Sequence, residues 1–161
     1  MKINPGFTLV ELLVVMAILA ILSTVALGQF TNSQKKARDT QRKSDLDNVA
    51  RALEMYYNDN KTYPASSEGK IAVDGGATII DWTTPFQQDV GSETIVYMKK
   101  LPCDPDRNWN YCYWSDGGGF KLYAKLENDK DFNYCLLCYE CNGNDEYHYG
   151  ITSSNLVLEC E

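Results

Sequence analysis

The sequence predicts an α+β fold, in which a long N-terminal helix packs against a small antiparallel β-sheet head held by disulfides. From Phe7 to Leu27 the only charged residue is Glu11, and an amphipathic stripe follows over residues 31–58 without glycine or proline. Further along, two alternating, aromatic-rich runs flank a glycine-rich turn, which is typical of a β-hairpin. All six cysteines follow residue 102, so any crosslinks belong to the C-terminal part.

Composition limits the possible function classes. The 161 residues are 44% hydrophobic and 23% charged, which predicts one folded unit rather than a disordered chain. Charge is unevenly distributed along the chain. Residues 1–61 hold 8 Lys+Arg and 6 Asp+Glu, whereas residues 62–161 hold 7 Lys+Arg and 16 Asp+Glu. The acidic C-terminal part repels phosphate backbones, so we expect no sequence-specific nucleic-acid binding.

The apolar N-terminal stretch is long enough to cross a membrane, since about twenty helical residues at ~1.5 Å each span a bilayer core. An alternative is a secretory signal removed after Gly28, at the small-residue site formed by residues 26–28. Glu11 argues against a disposable signal, because a carboxylate deep in the membrane costs roughly 2.5–3.5 kcal/mol. Such a residue predicts a function in the retained helix.

Residues 6–11, Gly-Phe-Thr-Leu-Val-Glu, and the apolar run after them resemble the class III signal of type IV pilins and pseudopilins. The resemblance implies that a prepilin peptidase cuts after Gly6 and that the new N-terminal Phe7 is N-methylated. It also implies that Phe7, Thr8 and Glu11 serve assembly, with Glu11 pairing to the Phe7 ammonium of a neighbouring subunit. The apolar helix is then the core of a filament.

This resemblance covers the first 60 residues closely and the head loosely, and it gives a four-part organisation. The parts are a leader over residues 1–6, a transmembrane or filament-core helix over 7–30, an amphipathic continuation over 31–60 and a globular β-rich head over 61–161. Alternating charges in the continuation predict a solvated helix face with intrahelical pairs. These charges are Lys35, Lys36, Arg38, Asp39, Arg42, Lys43, Asp45 and Asp47.

The strands of the head are partly readable. A hairpin is predicted around the three glycines at 117–119, with its strands over residues 109–114 and 120–126. Further strands are candidates at residues 147–149 and 156–158. Residues 70–100 do not separate helix from strand, although Thr84-Pro85 is compatible with the start of a short helix. The segment Leu101-Pro102-Cys103-Asp104-Pro105 resembles the entry into the sheet of type II secretion pseudopilins and short bacterial pilins.

The cysteines allow two interpretations. Three of them follow the pattern Cys-x-x-Cys-x-x-Cys, as in zinc or iron–sulfur sites, but a second pair is absent and His148 is the only histidine. In an extracytoplasmic head, three disulfides are the simpler prediction, without metal or cofactor. We expect a Cys103–Cys112 bond and a bond from Cys160 to one member of the cluster. The predicted disulfide residues are Cys103, Cys112, Cys135, Cys138, Cys141 and Cys160.

The predicted function is that of a structural subunit, not an enzyme: a type IV pilin-like protein stored in the membrane with its head extracytoplasmic. It would polymerise through its N-terminal helix into an extracellular filament for motility, adhesion or DNA uptake. Its partners would be further copies of itself, the prepilin peptidase and N-methyltransferase, an inner-membrane assembly platform and, before assembly, lipid. The alternatives are a pseudopilin of a type II secretion system and a secreted Cys-rich enzyme or metal protein with an ordinary signal.

Overall fold

The computed structural model describes residues 6–135, 139–141 and 145–156, with the backbone alone for 24–29, 139–141 and 145. The chain forms two compact units, Met1–Ala37 and Arg38–Glu161. One helix, α1, covers Leu9–Asn60. It ends where Lys61 adopts a positive φ of 60° and donates its N–H to the Tyr57 carbonyl at 2.7 Å. Among the described residues, no helix combines the length and apolarity needed to span a membrane.

In the part of the chain that the structure describes, ten short strands follow the helix, and the pairings between them are all antiparallel. The strands are β1 Ala65–Ser67, β2 Lys70–Val73, β3 Thr78–Ile80, β4 Phe86–Val90, β5 Glu93–Met98, β6 Cys112–Ser115, β7 Phe120–Ala124, β8 Tyr139–Cys141, β9 Asp145–Tyr147 and β10 Tyr149–Thr152. They form two three-stranded sheets, ordered β1-β2-β3 and β10-β7-β6, and two hairpins, β4-β5 and β8-β9. The α+β class with a long N-terminal helix is therefore confirmed.

The predicted hairpin around the glycines is confirmed as β6 and β7, with Tyr113 opposite Leu122. Its turn is fixed by Asp116, whose Oδ1 accepts the N–H groups of Gly118 and Gly119 at 3.0 and 2.8 Å. The predicted strand at 147–149 is divided at a bend between β9 and β10. Of the candidate strand at 156–158, residue 156 lies outside any strand and the other two lie outside the described residues.

Residues 70–98 form strands β2 to β5 and a single 3₁₀ turn at Asp74–Gly76, so the short helix considered at Thr84-Pro85 is wrong. Instead, Pro85 precedes β4, whose first residue, Phe86, is completely buried. The Phe86 ring stacks on Tyr56 of α1 at 5.7 Å between centroids and contacts Tyr97 of β5 at 5.2 Å. Phe86 therefore packs against α1 from a strand and not from a helix.

The apolar stripe predicted on α1 forms one side of the core. Leu46, Val49 and Leu53 are completely buried, and Tyr56 is 5% exposed. The strands supply the other side of this cluster, through Ile71, Val73, Ile80, Phe86, Tyr97, Tyr113, Phe120, Leu122 and Ala124. Each layer thus buries the apolar face that the other leaves open.

The cysteines differ from the expected pairing. Cys103 is a free, exposed thiol, whereas Cys112 and Cys135 are each disulfide-bonded. The predicted Cys103–Cys112 bond is therefore wrong. The physical reason is that Cys112 begins β6 and is buried with Tyr123 and Tyr147, with Cys135 packed against this cluster, whereas Cys103 lies on an exposed loop.

The remaining cysteine predictions fall on Cys138, Cys160 and the side chain of Cys141, which lie outside the described residues.

We expect Cys103 and Cys112 to respond differently to substitution. In a fragment that begins at residue 31, Cys112→Ser should lower the free energy of unfolding by about 2–4 kcal/mol, because it removes a crosslink. Cys103→Ser should change it by less than about 0.5 kcal/mol, as is usual for an exposed side chain. Urea unfolding without reductant measures both, and equal losses would contradict the assignment.

Candidate functional site

The processing and assembly residues predicted from the sequence lie together at the start of α1. Thr8 and Glu11 form a capping box: the backbone N–H and the hydroxyl of Thr8 both donate to Glu11 Oε2 at 2.8 Å. In return, the Glu11 N–H donates to Thr8 Oγ1 at 3.3 Å. Gly6 and Phe7 precede this cap and are exposed. In a single chain, the Glu11 carboxylate therefore satisfies its own helix terminus.

Beyond the cap, α1 presents a largely exposed apolar surface. Twelve large apolar side chains between residues 7 and 22 are each at least 48% exposed. Contiguous apolar surface of this kind marks an interaction site with a membrane or with another protein. These residues are Phe7, Leu9, Val10, Leu12, Leu13, Val14, Val15, Met16, Ile18, Leu19, Ile21 and Leu22.

A second polar site lies in the other unit, around the completely buried guanidinium of Arg42. Its Nε and Nη2 donate to the two carboxylate oxygens of Asp104 at 2.9 and 2.8 Å. Its Nη1 donates to Asp39 at 2.7 Å and to Glu127 at 2.8 Å, and the group lies 4.8 Å from the Trp109 ring centroid. Such a group is tolerated in the interior only because its donors are matched by carboxylates.

The partners of Arg42 are themselves held in place. Asp39 accepts the backbone N–H groups of Glu127 and Asn128 at 3.0 and 2.9 Å. Arg38 also donates to Glu127, with Nε at 2.7 Å from Oε1. The cluster therefore ties α1 to the loop that follows β5 and to the segment that follows β7.

The interpretation of these helix charges as a solvated face is wrong for Asp39 and Arg42, which are 1% and 0% exposed. Their intrahelical pair does form, but it is buried. A signal for this was present in the sequence. Asp39 and Arg42 continue the three- and four-residue spacing of Leu46 and Val49 by one further turn, so they belong to the buried stripe.

Two carboxylates of this region have displaced pKa values. The hydrogen bond from Arg38, with a smaller contribution from Arg42, lowers the pKa of Glu127 to about 2. Burial raises the pKa of Asp45, although the Tyr111 hydroxyl, which donates to it at 2.8 Å, partly opposes the shift. The part of the chain that the structure describes holds no group of His, Cys, Asp and Glu arranged to bind a metal ion.

Glu127 gives the fold a measurable acid dependence. Its pKa is lowered from 4.5 to about 2 on folding, so its stabilisation is complete above pH ~4.5 and is lost as the pH falls towards 2. At pH 7, Glu127→Gln should lower the free energy of unfolding by on the order of 2–3 kcal/mol. This difference from the unsubstituted protein should shrink at pH 2.

Urea unfolding of the fragment that begins at residue 31, carried out between pH 7 and 2, measures this difference. Glu93→Gln is the matched control, because Glu93 is an exposed glutamate at the start of β5. It should follow the unsubstituted protein throughout. A Glu127→Gln deficit that stays constant with pH would contradict the role of the Glu127 charge.

Two family models match adjacent parts of the chain. Residues 1–27 match the prokaryotic N-terminal methylation motif, and residues 29–131 match type II secretion system protein G. The chain is 36% identical to the type II secretion system core protein G of Pseudomonas aeruginosa over 123 residues, 75% of this chain and 82% of that protein. Identity to the Vibrio cholerae core protein G is 32% over 117 residues, 73% and 75% of the two chains.

A pilus protein is also similar. The type IV wide pilus major component PilA4 of Thermus thermophilus is 37% identical over 73 residues, which cover 45% of this chain and 56% of PilA4. No solved structure gives a significant match. The prepilin signal recognised in the sequence is confirmed, and the chain belongs to the type II secretion system protein G family of pseudopilins, which are structural proteins rather than enzymes.

Proposed function

We propose that this chain is the pseudopilin of a type II secretion system, a membrane-stored subunit that polymerises through its N-terminal helix into a short filament that drives export. The observation that carries this proposal is the match of residues 29–131 to protein G, which includes most of the head. The extracellular pilus, ranked first from the sequence, is therefore placed second. PilA4 supports that second candidate, but over less than half of this chain.

The exposed apolar side chains support storage and polymerisation. In the precursor, residues 7–30 would lie in lipid, and on assembly the same surface would contact the helices of neighbouring subunits. The disulfide-bonded Cys112 and Cys135 support an extracytoplasmic location of the head, because disulfides persist in oxidising compartments. Further copies of the chain, the prepilin peptidase with its methyltransferase activity and an assembly platform in the inner membrane are the partners that this function requires.

The capping box explains how Glu11 can be stored and then used. Before assembly, Thr8 supplies two donors to the Glu11 carboxylate at 2.8 Å, so the charge is never without a partner. Cleavage after Gly6 would create an ammonium on Phe7. Within the filament, Glu11 would exchange its own cap for the Phe7 ammonium of a neighbour. A subunit in the wrong axial register would leave both charges unpaired in an apolar core, which sets the register.

Processing can be tested directly. Gly6→Val places a branched side chain at the predicted cleavage position, so we expect an uncut precursor in the membrane. Mass spectrometry of the unsubstituted protein should give an N-terminal N-methyl-Phe7, and that of the variant should give the original N-terminus. Lys2→Ala is the matched control within the leader. An N-terminus at Gln29 in the unsubstituted protein would instead identify an ordinary secretory signal.

Deletion of the gene in the host separates the two filament functions. If the chain is a secretion pseudopilin, exported proteins should fall at least about ten-fold in the culture medium and accumulate in the cells, whereas surface pili should remain. Quantitative proteomics of the medium and of sheared surface filaments measures both, with a plasmid-borne copy as the control. Loss of pili with normal export would contradict the secretion proposal and favour the pilus.

A further inference from the structure

A cavity of about 520 Å³ opens in the head between the turn that joins β1 to β2, the segment after β3 and the start of β6. Its lining combines the buried rings of Tyr111 and Tyr147 with exposed polar side chains from Glu68, Asp81 and Asn110. Small-molecule sites occupy about 300–1,000 Å³ and combine aromatic walls with a few polar groups. The cavity therefore has the size and the composition of a ligand site.

We call it the Trp82 cavity, because the partly buried indole of Trp82 lines it. The indole contacts the Tyr111 ring nearly perpendicularly, at 5.7 Å between centroids and 83° between planes. In the part of the chain that the structure describes, the indole N–H has no hydrogen-bond partner. An indole combines an apolar face with a single donor. Trp82 therefore offers a ligand both a stacking surface and a hydrogen bond.

The backbone beside Trp82 is fixed in advance. Thr83 has a φ of 80°, which is an outlier for a β-branched residue. Its N–H donates to the Leu101 carbonyl at 3.1 Å, and the Leu101 N–H donates to the Thr84 carbonyl at 2.8 Å. Strained positions of this kind persist only where their surroundings fix them, and they are frequent at ligand sites. A site that is already ordered loses less conformational entropy when it binds.

The charges of the lining favour a neutral ligand. The Lys70 ammonium donates to Asp81 Oδ1 at 2.5 Å, so these two charges are paired across the cavity rim. Among the described residues of the lining, Glu68 carries the other charge, and it is exposed to solvent. An anionic ligand would therefore meet a net negative rim, and a cation would meet one solvated carboxylate that already lies near Lys70.

Two further polar groups of the lining are available to such a ligand. Among the described residues, neither the Asn110 amide nor the Thr83 hydroxyl has a hydrogen-bond partner. Each of these groups both donates and accepts, as does every hydroxyl of a sugar. A sugar ring also has an apolar face of C–H groups, which can pack against an indole. A sugar ring thus matches both the polar rim and Trp82.

We propose that the Trp82 cavity binds a pyranose ring of a neutral oligosaccharide, which stacks on Trp82 and forms hydrogen bonds with Asn110 and Thr83. This inference goes beyond the proposed export function and does not depend on it. Glycans that carry N-acetyl groups and glucans that carry hydroxyls alone share the required chemistry. The test therefore includes one glycan of each kind.

Calorimetric titration of the full-length chain in phosphatidylcholine nanodiscs tests binding without a detergent that has a sugar headgroup. The probes are the β-1,4-linked tetramers of N-acetylglucosamine and of glucose. We expect at least one of them to bind with a Kd of about 1 mM or tighter, as is reasonable for one sugar-sized contact. No binding of either tetramer would overturn the inference, and so would equal affinity for the neutral peptide Gly-Ser-Gly-Ser.

Substitutions locate the bound sugar. Trp82→Ala should weaken binding at least about ten-fold, as expected when an aromatic anchor is removed. The matched control is Trp114→Ala, since Trp114 is 42% exposed on β6 and is not among the described residues that line the cavity. It should bind the tetramer as tightly as the unsubstituted chain. An equal loss in both tryptophan variants would overturn the inference.

Asn110→Leu provides a variant that keeps the fold. Because Asn110 is exposed and its side chain has no partner among the described residues, the thermal melting of this variant should be unchanged. Its affinity for the tetramer should fall about three- to ten-fold, because one hydrogen bond to the sugar is lost. Unchanged affinity in both Asn110→Leu and Trp82→Ala would place the sugar elsewhere and overturn the assignment.

Discussion

The buried guanidinium of Arg42 is the constraint on which the rest of the unit Arg38–Glu161 depends. A fully buried cation must be surrounded by acceptors, and here they come from three separate stretches: Asp39 one turn earlier on α1, Asp104 after β5 and Glu127 after β7. Removing one partner leaves a buried donor of Arg42 without its acceptor, and an unsatisfied buried polar group typically costs about 1–3 kcal/mol. The cluster therefore fixes where two loops meet the helix, a task that the apolar core alone does not perform.

The same cluster positions the segment that follows β7. Asp39 accepts the backbone N–H groups of residues 127 and 128, and Lys43 donates to Asp131, so α1 holds this segment at both ends. Because the Glu127 side chain also pairs with Arg38 and Arg42, protonation of Glu127 removes one further attachment between this segment and α1.

The sequence predicted those features that depend on periodicity. The stripe from Leu46 to Tyr56 and the hairpin of β6 and β7 are visible because their apolar residues recur at the period of their structure. For Arg42 the two signals disagree: its charge predicts exposure to solvent, whereas its spacing places it in the buried stripe, and the spacing is correct. Strands β2 to β5 are three to six residues long, too short for a clear period. Cysteine pairing depends on which residues the folded strands bring together, as the free Cys103 shows.

The proposed role of Glu11 follows from a comparison of energies. The exposed apolar side chains of residues 7–22 prefer any apolar surroundings to water by about 1.5–3 kcal/mol each. Lipid tails satisfy that preference as well as neighbouring helices do, so the hydrophobic effect cannot drive a subunit from membrane to filament. Packing and polar pairing must supply the difference. The proposed ion pair from Glu11 to a neighbouring ammonium would form only in the filament, whereas the cap on Thr8 forms in the single chain. The exchange between them would therefore distinguish the two states.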